Sequence, residues 1–459
     1  MIDRPTCNCP RIFISRFCQS CAETRLVARN VRSRLFRTPF SSTDRSRSLP
    51  CARVSMRRPR MRASEVQFRC VGTVIAAFLF ATLLTSSLRW PSPDADIFSD
   101  DYGHAPVVED GECAGYGRSN PLPPAPSGAL SLFSLGDWGV RGLRVGSDAQ
   151  MAVARGMKCA ARAAPVSAVF TLGDNFYGNG VESVDDAQFE FKWASVYADA
   201  ALDVPWYPAL GDHDQCGDVD AQVQFSERNE RWRMPAAYYE ETFAFDGGDA
   251  QFVFVDWVRL EGAFSRSPED RRFGERLRED QAGKDTSEEH WEWLRQTLGK
   301  GDPTWRVVVG HRPLISVSAR SARDDAAFPA EARTRDALRE TMEHFGVDLW
   351  INGHDHTVQV ACSETEKGAT HFVTAGVGGY DLHELLPSAE WPEEMAFADA
   401  SFHGFAAHRF TAEAITTHFL DERSEVRRSF VIDKRAKTCP GRGASSKANV
   451  DDNVAGGAL

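Results

Sequence analysis

Short apolar runs alternate with longer amphipathic stretches through the middle of this 459-residue chain. Runs of this kind predict buried strands, and apolar side chains spaced three and four residues apart predict helices. The predicted strands are residues 129–135, 167–172, 204–210, 305–309 and 347–351. The predicted helices are residues 147–163, 187–198 and 330–345. A further helix is predicted to begin at an N-cap, which is Asp285 or Thr286. Strands and helices in alternation are typical of an α/β layer structure.

Other parts of the pattern predict antiparallel strands. Residues 238–245 and 251–257 form a predicted hairpin joined at Gly247 and Gly248. Further strands are predicted near residues 370–375, 405–411, 414–420 and 426–432. We therefore predict one domain over residues 128–435.

The segments around that domain have a different composition. Residues 1–70 are rich in Arg and lack a sustained apolar period, which predicts a disordered or targeting segment. Residues 89–127 are rich in Pro and predict a linker. Residues 436–459 are rich in Gly, Ser and Ala and predict a disordered tail.

Residues 71–88 form an apolar segment with no charged residue between Arg69 and Arg89. Its length is at the lower edge for spanning a bilayer and also suits a signal-peptide core. Five arginines stand just before it, so the positive-inside rule places the N-terminus in the cytoplasm and the rest of the chain in a lumenal or extracellular space. We expect a membrane-anchored protein, or a secreted one if the segment is cleaved.

Three interpretations of this apolar segment stay open. It is an uncleaved signal anchor, a signal peptide whose true start is Met56 or Met61, or an organellar targeting sequence. If it is uncleaved, residues 71–88 also make the membrane a partner of the chain.

Charge is distributed unevenly along the chain. Residues 1–70 contain 16 Arg, no Lys and 4 acidic residues, although the whole chain carries a net charge of −12. The acidic main body argues against a nucleic-acid partner, since such proteins present a basic surface. It does not exclude a phosphorylated substrate, because metal ions can supply local positive charge.

The eleven cysteines divide between these regions. Six lie at or before residue 70, where Cys7-x-Cys9 and Cys18-x-x-Cys21 could form a zinc knuckle, although their flanks show no periodic structure. The later five are Cys113, Cys159, Cys216, Cys362 and Cys439. If these five pair only among themselves, at least one stays a thiol.

Polar side chains follow five of the predicted strands. The segments are Gly136-Asp-Trp-Gly139, Leu172-Gly-Asp-Asn-Phe-Tyr177, Gly211-Asp-His-Asp214, Gly310-His-Arg-Pro313 and Asn352-Gly-His-Asp-His356. Taken singly, an Asp in such a turn is often a turn former and a His in a loop is usually solvated. In an open α/β sheet, however, ligands bind at the carboxyl ends of the strands. Five such ends together predict a metal site.

The candidate ligands combine oxygen and nitrogen donors. They are Asp137, Asp174, Tyr177, Asp212, His311, His354 and His356. Such a mixture suits zinc, iron or manganese better than calcium or magnesium alone. Seven ligands for two ions leave coordination positions open, which is typical of a catalytic centre. Two neighbouring ions can stabilise both the attacking and the leaving oxygen of a displacement at phosphorus.

These five motifs resemble those of the purple acid phosphatases, in particular the single-domain, tartrate-resistant type, within the calcineurin-like metallophosphoesterases. The similarity spans residues 128–420 and includes Val204-Pro-Trp-Tyr207 and Arg231-Trp-x-x-Pro-x-x-Tyr-Tyr239. It implies an α/β fold, a four-layer α/β/β/α sandwich of two mixed β-sheets flanked by helices. It also implies an acid-phosphatase-like enzyme that cleaves phosphate monoesters by attack of a metal-bound hydroxide.

The resemblance further implies a role for each residue. Asp137, Asp174, Tyr177 and His356 would hold the first metal, iron(III), and the Tyr177 phenolate would colour the protein. Asp174 would bridge to the second metal, which is iron, zinc or manganese. The remaining ligands of that second metal would be Asp212, His311 and His354. His213 would be the catalytic residue beside the leaving-group oxygen, as proton donor or charge stabiliser.

Two residues depart from the family's pattern. Asp212 stands where the family has Asn, so it either ligates the second metal as an anion or turns away to bind a neighbouring amide. Arg312 stands where the family often has an aromatic residue. It could contact substrate phosphate through its two-pronged guanidinium, or lie on the surface and pack its aliphatic stem.

Three functions remain compatible with the sequence. The first is hydrolysis of a phosphate monoester, carried by a small phosphorylated substrate or a phosphoprotein. The second is a membrane-tethered, catalytically weak scaffold of the same fold. The third is a phosphodiesterase or nucleotide hydrolase that uses the same metals.

Overall fold

The structure is a computed structural model that describes residues 111–139, 146–262, 287–327, 329–436 and 438–439. The segments predicted at residues 1–70 and 71–88 lie outside these ranges, as do both predicted helix caps, Asp285 and Thr286, and most of the tail. Among the described helices, none combines the length and the apolar character needed to cross a bilayer. The predicted domain boundaries stay predictions.

Thirteen strands form within the described residues. They are β1 (Leu130–Leu135), β2 (Ala168–Leu172), β3 (Trp206–Ala209), β4 (Tyr239–Phe245), β5 (Gly248–Phe254), β6 (Trp305–Val309), β7 (Leu349–Asn352), β8 (Val358–Thr365), β9 (Gly368–Ala375), β10 (Met395–Asp399), β11 (Gly404–Phe410), β12 (Ala414–Asp421) and β13 (Val426–Asp433). The α-helices are α1 (Asp148–Ala163), α2 (Val219–Phe225), α3 (Trp257–Leu260), α4 (Ser287–Leu298), α5 (Ala319–Ala327) and α6 (Pro329–Phe345).

The strands build two mixed sheets. One has the order β13-β12-β11-β1-β2-β3, and the other has the order β10-β8-β9-β7-β6-β5-β4. In the first sheet β1, β2 and β3 run parallel while β11 to β13 run antiparallel. In the second sheet β5, β6, β7 and β9 form the parallel part. Parallel strands place their carboxyl ends at one edge, which is where the candidate ligands follow.

The two sheets pack face to face through aromatic side chains. Phe170 of β2 lies with its ring centroid 4.8 Å from that of Phe252 and 5.2 Å from that of Phe254, both on β5. A second apolar cluster covers the other face of the second sheet. There Trp350 of β7 packs in one cluster with Leu294 of α4 and residues of α6. Helix α1 contacts β11 of the first sheet. The order of layers is therefore α/β/β/α, as the resemblance implies.

Helix α1 shows how local sequence sets an element boundary. Ser147 is its N-cap, and the Ser147 hydroxyl accepts from the backbone N–H of Gln150 at 2.9 Å. Such a cap satisfies one of the donors that a helix start leaves unpaired. Val153 and Met157 are fully buried on its inner face, so the spacing that predicts this helix also predicts its orientation.

The region predicted as a helix at residues 187–198 differs from that expectation. It contains a π-helix, Glu190–Ala194, at which Lys192 is fully buried. The Lys192 ammonium donates to the Tyr177 carbonyl and to Gln188 Oε1. Tertiary contacts of this kind override helical periodicity, and π-turns occur most often beside functional sites.

Strands β8 and β10 and helices α2, α3 and α5 are absent from the sequence prediction. Polar residues interrupt their apolar pattern, as Gln359 of β8 illustrates. Its side chain is buried and accepts from the Val317 N–H at 2.9 Å. A polar residue that is buried because it has a partner distant in the sequence gives no periodic signal.

Part of the Pro-rich linker lies within the described residues, at 111–127. It contains no helix or strand, but a Cys113–Cys159 disulfide joins it to α1. The Glu425 carboxylate also accepts from the backbone N–H groups of Ser119 and Asn120. The disulfide and these hydrogen bonds therefore hold residues 111–127 against the domain. The second disulfide joins Cys362 to Cys439, and Cys216 keeps its thiol.

Candidate metal centre

Five loops that follow parallel strands meet at one edge of the sandwich. Three follow β1, β2 and β3 of the first sheet, and two follow β6 and β7 of the second. Backbone hydrogen bonds hold them in register, such as the one from Asp137 N to Gly173 O at 3.2 Å. The loop after β7 is joined to the loop after β1, because the His354 N–H donates to Asp137 Oδ2 at 2.8 Å.

Three of the candidate ligands have left-handed backbone conformations. The φ angles are +58° at Asp137, +54° at Asp174 and +66° at His354. This region costs a residue with a side chain about 1–2 kcal/mol. Strain of this kind persists only where surrounding contacts impose it, and it clusters at functional sites. Each of these turns directs its side chain into the same small volume.

A first group of side chains consists of Asp137, Tyr177 and His356. Tyr177 Oη lies 3.2 Å from Asp137 Oδ1 and 3.2 Å from His356 Nε2. His356 Nε2 lies 3.4 Å from Asp137 Oδ1. A carboxylate, a phenol and an imidazole therefore converge from three separate loops.

A second group consists of Asp212, His311 and His354. Asp212 Oδ1 lies 3.0 Å from His311 Nε2 and 3.1 Å from His354 Nδ1, and the two imidazole nitrogens are 3.3 Å apart. These three side chains can offer ligand atoms to one ion, because the atoms lie within 4.8 Å of one another.

Asp174 lies between the two groups. Its Oδ1 is 3.3 Å from His311 Nε2 in the second group. It also shares a candidate ligand set with Asp137 of the first group. The backbone N–H of His213 donates to the same Oδ1 at 2.9 Å and so fixes this carboxylate. Asp174 thus lies within reach of both groups, and its bridging role stays a prediction.

Backbone carbonyls orient two of the imidazoles. His311 Nδ1 faces Leu172 O at 2.7 Å, and His356 Nδ1 faces Asp381 O. A nitrogen beside a carbonyl carries the proton, so in the neutral imidazole the lone pair is on Nε2, the atom that faces the cluster. An outer hydrogen bond of this type is the usual way in which proteins prepare histidine for a cation.

The charges of the cluster also suit cations. Burial would raise the pKa of Asp174, but His311 and His213 outweigh it and hold that pKa well below its usual range. Burial, together with the carboxylates of Asp174 and Asp137, raises the pKa of Tyr177 well above its usual value. A phenolate at Tyr177 therefore requires a strongly charged cation beside it. The residues present fit a pair of metal ions.

His213 lies at the rim of the cluster. Its Nε2 is 3.9 Å from Asp174 Oδ2, and its side chain is 14% exposed, more than either Asp174 or Asp212. Its Nδ1 faces Gly178 O at 2.7 Å, so Nδ1 carries a proton and Nε2 is the atom available for proton exchange. This position lies between the buried carboxylates and solvent.

Arg312 does not lie on the surface, which was one of the two alternatives that the sequence left open for this residue. It is 3% exposed, and its guanidinium lies between Glu331 and Asp212. The alternative in which Asp212 turns away to a neighbouring amide is also wrong, because its Oδ1 faces His311 and His354.

Several residues beside the cluster were not found from the sequence. The His383 ring stacks on His356 with centroids 3.9 Å apart, and its Nδ1 accepts from the His356 N–H at 3.1 Å. The Tyr380 ring stacks on Tyr177 at 4.1 Å. Both follow a glycine-rich turn, where a Cβ on Gly378 would lie 2.4 Å from Gly136 O. The glycine-rich stretch that permits this close approach is the one sequence signal that could have located His383 and Tyr380.

Comparison with known proteins places this geometry in a family. A family model described as calcineurin-like phosphoesterase matches residues 135–358, which include all five motifs. Purple acid phosphatase 7 of Arabidopsis thaliana is 30% identical over 261 residues, which cover 56% of this chain and 73% of that protein. The chain belongs to the purple acid phosphatases. It is thus an acid-phosphatase-like metallophosphoesterase, and its family implies a dinuclear metal centre.

Other relatives agree with this assignment. Tartrate-resistant acid phosphatase type 5 of Oryctolagus cuniculus is 27% identical over 324 residues, which cover 67% of this chain and 92% of that protein. Among solved structures, GAP50, named as the anchor in the inner membrane complex of Plasmodium, matches with a TM-score of 0.53 and 22% identity. That match covers 68% of this chain and 90% of GAP50, and it shows a shared fold.

Proposed function

We propose that this purple acid phosphatase hydrolyses phosphate monoesters at a centre of two metal ions. The observation that carries the proposal is the division of seven donor side chains into two groups that share Asp174. A structural metal site closes its coordination, whereas this arrangement leaves positions for water and substrate. The short distances between these donor atoms join side chains from five loops of two sheets, so the arrangement is not a consequence of local sequence.

The first metal site would be formed by Asp137, Asp174, Tyr177 and His356. The second would be formed by Asp174, Asp212, His311 and His354. We propose iron in the first site, as the family resemblance implies, because Tyr177 would ligate as a phenolate and a phenolate requires a highly charged ion beside it. The second site, with one carboxylate and two imidazoles beside the bridging Asp174, suits iron, zinc or manganese. The ions would supply positive charge to the phosphate and activate water for attack at phosphorus.

The chain's own residues have two further tasks in this proposal. His213 would hold a proton on Nε2 and deliver it to the leaving oxygen, since its other nitrogen is engaged by Gly178 O. A proton donor in reach of the leaving group is worth about 10²–10⁴ in rate. The network of short contacts around Asp137 and Asp174 would fix the positions of these two carboxylates, so that little reorganisation accompanies the reaction.

The substrate would be a small phosphorylated molecule or a phosphoprotein. A phosphodiester or nucleotide is the second candidate, because the same pair of metal sites can serve it. A panel of 4-nitrophenyl phosphate, bis(4-nitrophenyl) phosphate, ATP and a phosphopeptide separates these classes by kcat/KM. We expect the monoesters to be preferred at least tenfold, and a preference for the diester would overturn the monoester proposal.

We further propose that the catalytic domain lies in a lumenal or extracellular space, anchored through residues 71–88 or secreted after their cleavage. The arginines before residue 71 support this orientation. The disulfides Cys113–Cys159 and Cys362–Cys439 support it independently, because such bonds persist in oxidising compartments.

Because this chain matches GAP50, which is named as an anchor, a scaffold role is another candidate function. A tethered scaffold of this fold would have no need of a metal cluster. In this chain the seven predicted ligands are present and converge, which favours the enzyme. Purified protein that binds two ions and yet releases no phosphate from any ester would favour the scaffold.

A further inference from the structure

The carboxylate of Asp212 is divided between two kinds of partner. Its Oδ1 faces the nitrogens of His311 and His354, at 3.0 and 3.1 Å. Its Oδ2 faces away from them, with Arg312 Nη2 at 3.8 Å. One oxygen is thus directed into the proposed second metal site, and the other is directed at a cation supplied by the protein.

Arg312 is held in that position by a carboxylate from another element. Its Nη1 pairs with Glu331 in the first turn of α6. The side chains of Arg312 and Glu331 are 4% and 7% exposed, so the ion pair is shielded from solvent. A buried guanidinium is stable only with such partners. Burial would lower the pKa of Arg312, but Glu331, Asp212 and Glu261 outweigh it, and the guanidinium stays charged.

We propose that Arg312 is a positioning residue that makes Asp212 act as a charge-compensated, single-oxygen metal ligand. An Asn at position 212 would offer one neutral oxygen. Asp212 with Arg312 on its second oxygen also offers one oxygen, and the added negative charge is opposed by the guanidinium. The two departures from the family's pattern, Asp212 and Arg312, are then one feature rather than two. This inference rests on the proposed metal sites.

The pairing has a direct consequence for substitution. Asp212→Asn alone leaves the Arg312 charge close to the second metal without its anionic neighbour. Asp212→Asn together with Arg312→Gln removes one negative and one positive charge. The net charge around the second metal site is then close to that of the wild type. The double variant should therefore hold the second ion better than the single variant, although it has lost two charged groups.

The test is retention of the second ion by the metal-loaded full-length protein during exposure to a chelator, followed by elemental analysis. Asp212→Asn should lose the second ion about tenfold faster than wild type, and Asp212→Asn with Arg312→Gln should return to within about threefold of wild type. Tenfold corresponds to about 1.4 kcal/mol. The matched control is Asp212→Asn with Arg339→Gln, since Arg339 of α6 pairs with Glu343 and Glu394 rather than with a candidate metal ligand. That control should not recover retention.

The same Arg312→Gln change removes the positive charge that pairs with the buried Glu331 carboxylate, so a third form adds Glu331→Gln. This triple variant should retain the second ion as the double variant does, and thermal unfolding of each form shows which of them fold. A double and triple variant that are no better than Asp212→Asn would overturn the inference while leaving the proposed hydrolysis intact. A wild type that holds no second ion would overturn both.

Discussion

The backbone N–H of His354 donates to Asp137 Oδ2 at 2.8 Å, while the other oxygen of that carboxylate lies 3.2 Å from Tyr177 Oη. One side chain thus joins the two sheets and also faces the first proposed metal site. Asp137 and His354 both have a left-handed backbone, and this hydrogen bond joins their two turns.

The joint at Asp137 predicts different outcomes for two substitutions. Asp137→Asn keeps an oxygen that can accept from the His354 N–H, so we expect it to destabilise the metal-free fold less than Asp137→Ala does. Asp137→Ala leaves that buried N–H unpaired, which costs about 1–3 kcal/mol. Denaturant unfolding of the metal-free protein measures both. Equal stabilities would show that the cross-sheet hydrogen bond contributes little.

Tyr177 is expected to give the iron-loaded protein its colour, by charge transfer from the phenolate. Tyr177→Phe should remove the visible band while most of the iron stays bound through Asp137, Asp174 and His356. Tyr380→Phe is the matched control, because that ring stacks on Tyr177 at 4.1 Å and is also a tyrosine. Its spectrum should keep the band. A band that survives Tyr177→Phe with iron bound would contradict the ligand assignment.

His408 predicts a loss of stability in acid. It is fully buried between Ser134 Oγ and Thr417 Oγ1, each 2.8 Å from a ring nitrogen. Burial, together with Arg409 and His418, lowers the pKa of His408 from 6.5 to about 3. Because the unfolded imidazole takes up a proton first, this contribution is complete above pH 6.5 and is lost as pH falls toward 3.

The measurement for His408 is the free energy of unfolding at pH 7 and pH 5. Between these values the wild type should lose about 2 kcal/mol more than His408→Gln, at 1.4 kcal/mol per pKa unit. His344→Gln changes an exposed histidine and should leave the wild-type difference unaltered. Parallel pH curves for wild type and His408→Gln would show that this histidine is protonated in the folded state.

The proposed topology predicts protection of the catalytic domain. In sealed microsomes that contain the full-length chain, the domain should resist added protease until detergent is present. Peptide mapping should also find the Cys113–Cys159 and Cys362–Cys439 disulfides in protein from that source. A domain digested without detergent, beside an intact lumenal marker, would refute the proposed orientation.

Most of the site could be predicted from the sequence, because strand-end motifs combine two independent signals. An apolar run fixes where a parallel strand ends, as at Leu172, and the residues directly after it must then lie at the common edge. That argument places Asp174 and Tyr177 at this edge, whereas their roles as metal ligands rest on the five motifs together and on the family resemblance, and those roles stay predictions. The α/β layering could be predicted in the same way, whereas the two-sheet arrangement came from the family resemblance.

The remaining features depend on contacts between distant segments. The burial of Arg312 is set by Glu331 on α6, and no local pattern indicates that pairing. His383 stacks on His356 from a loop after β9 that has no apolar period. The Lys192 ammonium donates to the Tyr177 carbonyl from within a π-helix, at a place where the sequence predicts an α-helix. Each of these features depends on a polar side chain whose partner is distant in the sequence.

The most direct test of the account is the metal content of purified full-length protein, measured together with phosphate release from 4-nitrophenyl phosphate. We predict about two ions per chain and hydrolysis that a chelator abolishes and added metal restores. His354→Ala should lower the content to about one ion and reduce kcat/KM at least 10²-fold, by loss of one of the paired sites. Full hydrolysis by His354→Ala, or by wild type with a single ion, would contradict the dinuclear mechanism.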